Sequence, residues 1–130
     1  MKIIQGKELS YNNINDMQAG CLLANDINKP CVVVIKHANP CGVSQNNNLL
    51  EAYKKAFKCD PVSAFGGIII INGNIDKKLA KEISKTFVEI VLGKRISKEA
   101  KNIFQNKKNL ILIETKTFKQ FKPLKEIKSM

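Results

Sequence analysis

The chain has a single histidine, His37, and it stands directly after Lys36 in the stretch Lys36-His37-Ala38-Asn39-Pro40-Cys41-Gly42. An imidazole titrates near neutral pH and can carry a proton, and an ammonium group beside it can stabilise developing negative charge. A solvent-facing histidine beside an unrelated lysine fits the same spacing, so the pair is a candidate rather than a signature. His37 and Cys41 also raise the possibility of zinc. Zinc deaminases read H-x-E and P-C-x-x-C, with the glutamate shuttling the proton. Here Asn39 stands two positions after His37, and Ser44 three positions after Cys41. The shuttle and one ligand are both missing, so no metal is expected.

A second constellation is Asp60-Pro61-Val62-Ser63-Ala64-Phe65-Gly66-Gly67. Paired glycines before a strand let a ligand approach the backbone, and free N–H groups there can bind oxygen atoms, although Gly-Gly before a strand is usually just turn chemistry. The words do not form a P-loop, which needs Gly-Lys-Ser/Thr after a four-residue gap. Glu89 is the third candidate, a carboxylate inside the otherwise apolar run Phe87–Leu92. On an edge it would face solvent; buried, it could accept hydrogen bonds from an amide or amine.

These residues need elements to hold them. Ile14, Met17, Cys21 and Ala24 recur at helical spacing behind the potential caps Asn12 and Asn13, and Pro30 ends that helix. Cys31–Ile35 reads as a strand buried on both faces, and residues 36–48 as a loop rich in Asn, Pro and Gly. Leu49, Leu50, Tyr53 and Phe57 give a second helix, and Asp60-Pro61 a turn. Ile68–Asn72 gives a second strand, and Asp76 caps a third helix through Leu79 and Ile83. Strands at Phe87–Leu92 and Leu110–Ile113 flank a short helix near Ser97–Gln105. Helices alternating with short apolar strands predict an α/β layer around a largely parallel sheet. In such sheets functional groups gather beyond the carboxyl ends of strands.

The 130 residues suit one domain or part of one, and 44% hydrophobic with 25% charged residues excludes intrinsic disorder. The longest apolar runs, Cys31–Ile35 and Ile68–Ile71, fall far short of the ~20 residues of a membrane span, and residues 1–30 carry no secretory signal. Cys21, Cys31, Cys41 and Cys59 have no disulfide-framework spacing, which points to a reducing cytoplasm. The net charge of +11 is concentrated in residues 94–130, as a basic binding tail would have it. Yet only one of the 22 basic residues is Arg, the residue favoured for phosphate and guanine recognition, which argues against a nucleic-acid partner.

Three ordered words tie these observations together: Gly6-Lys7-Glu8-Leu9-Ser10-Tyr11-Asn12-Asn13, Lys36 to Gly42, and Asp60 to Gly67. They resemble the AICAR transformylase domain of the bifunctional purine-biosynthesis enzyme, which joins that activity to an IMP cyclohydrolase. The resemblance covers roughly residues 6–115. It implies a cytidine-deaminase-like α/β fold, a layered sheet with flanking helices from which the zinc site is absent. Residues 1–114 would be part of the transformylase domain and 115–130 a Lys-rich tail.

The reaction implied is formyl transfer from the co-substrate 10-formyltetrahydrofolate to the 5-amino group of AICAR, in a cytoplasmic homodimer. By position, His37 would take the proton and Lys36 would stabilise the transition state. Gly66, Glu89 and Asn13 would contact AICAR. The family's Arg-Tyr-Gly-Glu-Asn-Pro segment and its downstream folate ligands do not occur in these residues, so the chain alone is expected to hold a partial site without turnover. After Glu89 the family usually reads Ala-Pro, where this chain has Gly93-Lys94. The alternative reading is a non-catalytic basic domain that binds a nucleotide or nucleic acid.

Overall fold

The computed structural model describes residues 1–118. In chain order the elements are β1 (Lys2–Gln5), α1 (Tyr11–Ile27), β2 (Cys31–Lys36), β3 (Asn39–Gln45), α2 (Leu49–Cys59), α3 (Pro61–Ala64) and β4 (Ile68–Asn72). There follow β5 (Asn74–Ile75), α4 (Lys77–Ile83), β6 (Ile90–Gly93), β7 (Arg95–Ile96), α5 (Lys98–Gln105) and β8 (Ile111–Glu114).

Six strands form one sheet in the order β1-β8-β6-β4-β2-β3, and β5 and β7 pair in a small ladder of their own. Alternate residues point to opposite faces of a strand. Val32, Val34, Ile69, Ile71, Val91 and Leu112 accordingly pack under α2, α4 and α5. Cys31, Val33, Ile35, Ile68, Ile70, Ile90, Leu92, Ile111 and Ile113 meet Met17, Cys21 and Ala24 of α1 on the other face. Four consecutive isoleucines, Ile68–Ile71, are at most 1% exposed. Each such side chain contributes roughly 1.5–3 kcal/mol through burial, which makes β4 the backbone of the core. The layered α/β architecture is as expected from the sequence.

The expected largely parallel sheet is instead mixed. Within the six-stranded sheet, β4–β6 and β6–β8 run parallel, bridged by α4 and α5. The pairs β2–β4, β2–β3 and β1–β8 are antiparallel. The expected loop over residues 36–48 is largely strand: β3 folds back on β2 from Lys36↔Asn39 to Cys31↔Gln45. Pro40 and Gly42 concealed it, but β3 is an edge strand, where proline is tolerated. The turn at Asp60-Pro61 is the start of α3, where Asp60 Oδ1 accepts from Ser63 N at 3.1 Å.

Three boundaries also shift. Helix α1 starts two to three residues earlier than Asn12 and Asn13 suggested, because Ser10 is the N-cap, and it ends on Asn28 in a left-handed conformation (φ 53°) before Pro30 is reached. Glu89 lies just ahead of β6 rather than within it. Thr115 donates its N–H to Gly93 O and Phe118 is buried against the α1 face, whereas the rest of the basic tail, 119–130, lies outside the described residues. Among the described residues, no helix is long and apolar enough to cross a membrane.

Because β2 runs against β4 and β6, its carboxyl end lies beside their amino ends: Ile35 pairs with Ile68, and Ile68 with Ile90. One end of the sheet therefore gathers the residues after β2 and those before β4 and β6.

Candidate active site

That sheet end holds a cleft of about 240 Å³, and all five residues singled out by the sequence line it: Asn13, Lys36, His37, Gly66 and Glu89. They come from four separate segments of the chain. The site therefore mixes one strand carboxyl end with two amino ends, where the sequence rule pointed to carboxyl ends alone. A larger hollow of about 370 Å³ lies between Ile83–Val88 and Phe104–Leu110, and no histidine, cysteine or carboxylate lines it.

His37 and Ala38 form the two-residue tip between β2 and β3, with φ of 55° and 62°. Two-residue hairpins of this hand need positive φ at both positions and usually use Asn or Gly. For other residues the left-handed conformation costs roughly 1–2 kcal/mol each. Two hydrogen bonds offset that cost. Asn39 Nδ2 donates to His37 O at 3.0 Å, and Ala38 N donates to Asp16 Oδ1 at 2.7 Å. The imidazole is exposed beside the cleft.

Lys36 ends β2 and donates from Nζ to the carbonyl of Phe65 at 2.6 Å. Among the described residues, that carbonyl and not a carboxylate holds the ammonium, so its charge remains available to an anion. The neighbouring Gly66 has φ +74°, and a Cβ there would sit 3.3 Å from the Phe87 ring. A Cβ on Gly67 would sit 2.9 Å from Ile35 O and 3.0 Å from Ala64 O. The paired glycines thus bring three backbone segments together. Their N–H groups are not offered to a ligand; the pair does the turn chemistry that Gly-Gly before a strand usually does. Gly66 N donates to Phe87 O and Gly67 N to Ala64 O, while Glu89 N donates to Gly67 O, each at 2.9 Å.

Asn13 joins the helix cap to the cleft. Its Oδ1 accepts from Ser10 N at 3.0 Å while Ser10 Oγ accepts from Asn13 N at 3.1 Å, a reciprocal capping box. Its Nδ2 donates to Glu89 Oε1 at 2.9 Å. Asn13 is 5% exposed, so both ends of its amide are committed in a nearly dry setting. An aspartate could keep the cap but could not, once ionised, donate to Glu89.

Cys41 is turned to other work. It packs against the core under α2, donates from Sγ to Val34 O at 3.6 Å, and burial pushes its thiol up. Among the described residues, no three His, Cys, Asp or Glu side chains gather as a metal site. The residue that sequence reasoning missed is Asp16. It follows Asn13 by three positions in α1, and residues so spaced share a helix face. The spacing from Asn13 was therefore the available signal.

The fold and cleft together define a layered α/β protein with a polar site able to carry a proton and to stabilise an anion. The whole chain, residues 1–130, matches the AICARFT/IMPCHase bienzyme family. It is 54% identical over 112 residues to the bifunctional purine biosynthesis protein PurH of Rhodospirillum rubrum, which covers 86% of this chain and 21% of that protein. With the PurH protein of Bacillus cereus strain ATCC 10987 it shares 45% identity over 127 residues, 98% of this chain and 25% of the relative. With that of Acetivibrio thermocellus it shares 50% over 113 residues, 87% of this chain and 22% of the relative. The chain belongs to the AICARFT/IMPCHase bienzyme family, and it spans about a fifth to a quarter of the length of these curated relatives.

Proposed function

We propose that this chain carries part of an AICAR transformylase site, in which a formyl group passes from 10-formyltetrahydrofolate to the 5-amino group of AICAR on the way to IMP. The observation that supports it best is the convergence of Asn13, Lys36, His37, Gly66 and Glu89 on one cleft. The AICAR amine is a weak nucleophile. As its nitrogen bonds to the formyl carbon it must lose a proton, and His37 takes it. The carbonyl oxygen gains negative charge, which the Lys36 ammonium stabilises. The bond from the formyl carbon to the folate nitrogen then breaks as that nitrogen takes up the proton held by His37, which releases tetrahydrofolate and restores the neutral imidazole. Glu89, oriented by Asn13, accepts from the carboxamide N–H groups of AICAR, and Gly66 leaves room for the nucleotide beside Lys36.

In this reading residues 1–114 are part of a transformylase domain of cytidine-deaminase-like type, and 115–130 are its Lys-rich tail. The chemistry needs no metal. The complete protein works as a cytoplasmic homodimer, in which residues beyond these 130 hold the folate, and the chain alone falls short of turnover. The test is His37→Ala in the full-length protein. Turnover should fall by about 100-fold or more while AICAR still binds, as for loss of a general base. Near-normal turnover would remove His37 from the reaction.

A further inference from the structure

We propose that Asp16 is a positioning residue: its carboxylate ties the His37–Ala38 turn to α1 and so fixes the imidazole at the cleft. The proposal rests on the role given above to His37. Among the described residues the His37 side chain makes no hydrogen bond of its own, so the ring is placed by the backbone that carries it. That backbone is left-handed at two consecutive non-glycine residues. It is not secured by the hairpin alone, since the β2–β3 register slips between Val34 and Ile35, just ahead of the turn.

Among the described residues, the one hydrogen bond to this turn from outside the hairpin is that of Asp16 Oδ1, which accepts from Ala38 N at 2.7 Å across 22 residues of sequence. A short bond to an ionised acceptor is among the stronger kinds. Asp16 also lines the same cleft. One turn earlier on α1, Asn13 holds Glu89. Two neighbouring residues of α1 thereby set the spacing between the proton acceptor and the opposite carboxylate. Misplacement of a reacting group by about 1 Å can cost ~100-fold in rate, so loss of the anchor should be felt in turnover before substrate affinity.

The experiment compares Asp16→Ala, Asp16→Asn and His37→Ala in the full-length protein, by steady-state kinetics and by amide hydrogen exchange at Ala38. For Asp16→Ala we expect kcat to fall about 10- to 100-fold with KM for AICAR within about threefold, and Ala38 exchange to quicken at least tenfold. Asp16→Asn keeps an acceptor oxygen and should recover kcat to within about threefold of the parent. A parent-like kcat in Asp16→Ala beside a crippled His37→Ala overturns the proposal. So does an Asp16→Asn variant as impaired as Asp16→Ala, since charge rather than anchoring would then matter. If both Asp16→Ala and His37→Ala turn over normally, the reading of the site itself has failed and the positioning role goes with it. Should Asp16→Ala not fold, the unmodified protein decides: Ala38 N–H should be protected although the residue is exposed, and free exchange there overturns the anchor.

Discussion

Substituting Asn13→Asp should destabilise the chain in a way that reverses with acid. The amide of Asn13 donates to Glu89 Oε1 at 2.9 Å and is 5% exposed. The substitution keeps the oxygen that caps α1 through Ser10 N but replaces the donor with a second anion. A hydrogen bond to a charged group is lost, worth about 1.5–3 kcal/mol. In its place stand two carboxylates roughly 4 Å apart, repelling by about 1 kcal/mol in water and about 4 kcal/mol at an effective dielectric of 20.

The loss has a ceiling, because the pair can escape by taking up one proton. From a carboxylate range near 4, that uptake at pH 7 costs roughly 4 kcal/mol, about 1.4 kcal/mol per unit. The expected deficit at pH 7.5 is therefore about 2–4 kcal/mol. A carboxyl that is harder to ionise when folded means that the folded state binds more protons than the unfolded one. The variant's stability relative to the parent then rises as pH falls. Urea unfolding of both chains at pH 7.5, 6 and 5 checks this, with about 1–2 kcal/mol of the deficit recovered by pH 5. The same deficit at all three pH values would refute the reasoning.

Other outcomes follow from the same site and core. Gly66→Ala should cost about 1–2 kcal/mol for its positive φ, measured by urea titration. Gly67→Ala should cost more, because its Cβ would press on two backbone carbonyls that cannot move aside. In the native chain Cys59, which is exposed, should react first with a thiol reagent, and buried Cys21 and Cys31 only on unfolding, since burial pushes both thiols up. Elemental analysis of protein purified without added metal should find well under one zinc per chain, and stoichiometric zinc at Cys41 would overturn the metal-free reading.

The core was legible because its strands are short runs of apolar, β-branched residues, and Ile68–Ile71 could hardly lie anywhere but in the middle of a sheet. Strand direction was not, since β2 and β4 are both buried on two faces and read alike whichever way they run. The edge strand β3 was hidden by Asn39-Pro40 and Gly42, residues that mean a loop in local terms and are tolerated only because one side of the strand is unpaired. At the site, His37 was visible as the one histidine of the sequence, Lys36 by standing directly before it, and Glu89 as a charge among apolar neighbours. Asp16 could not be found that way. An aspartate on a polar helix flank is ordinary, and its partner is a backbone N–H that no sequence displays.

The glycine pair before β4 has a consequence for how this surface can change. With the N–H groups of Gly66, Gly67 and Glu89 all committed to neighbouring carbonyls, the main chain here acts as scaffolding. In the proposed reading, recognition of a charged guest therefore falls to replaceable side chains, Lys36 foremost. A hole lined by main-chain donors persists through almost any substitution, whereas a pocket lined by side chains can be re-aimed or silenced one codon at a time while the chain path stays put. Descendants of such a domain could keep the frame and discard the chemistry in very few steps. A paralogue with this sheet end intact but with Lys36 and His37 exchanged for neutral residues would be the expected relic.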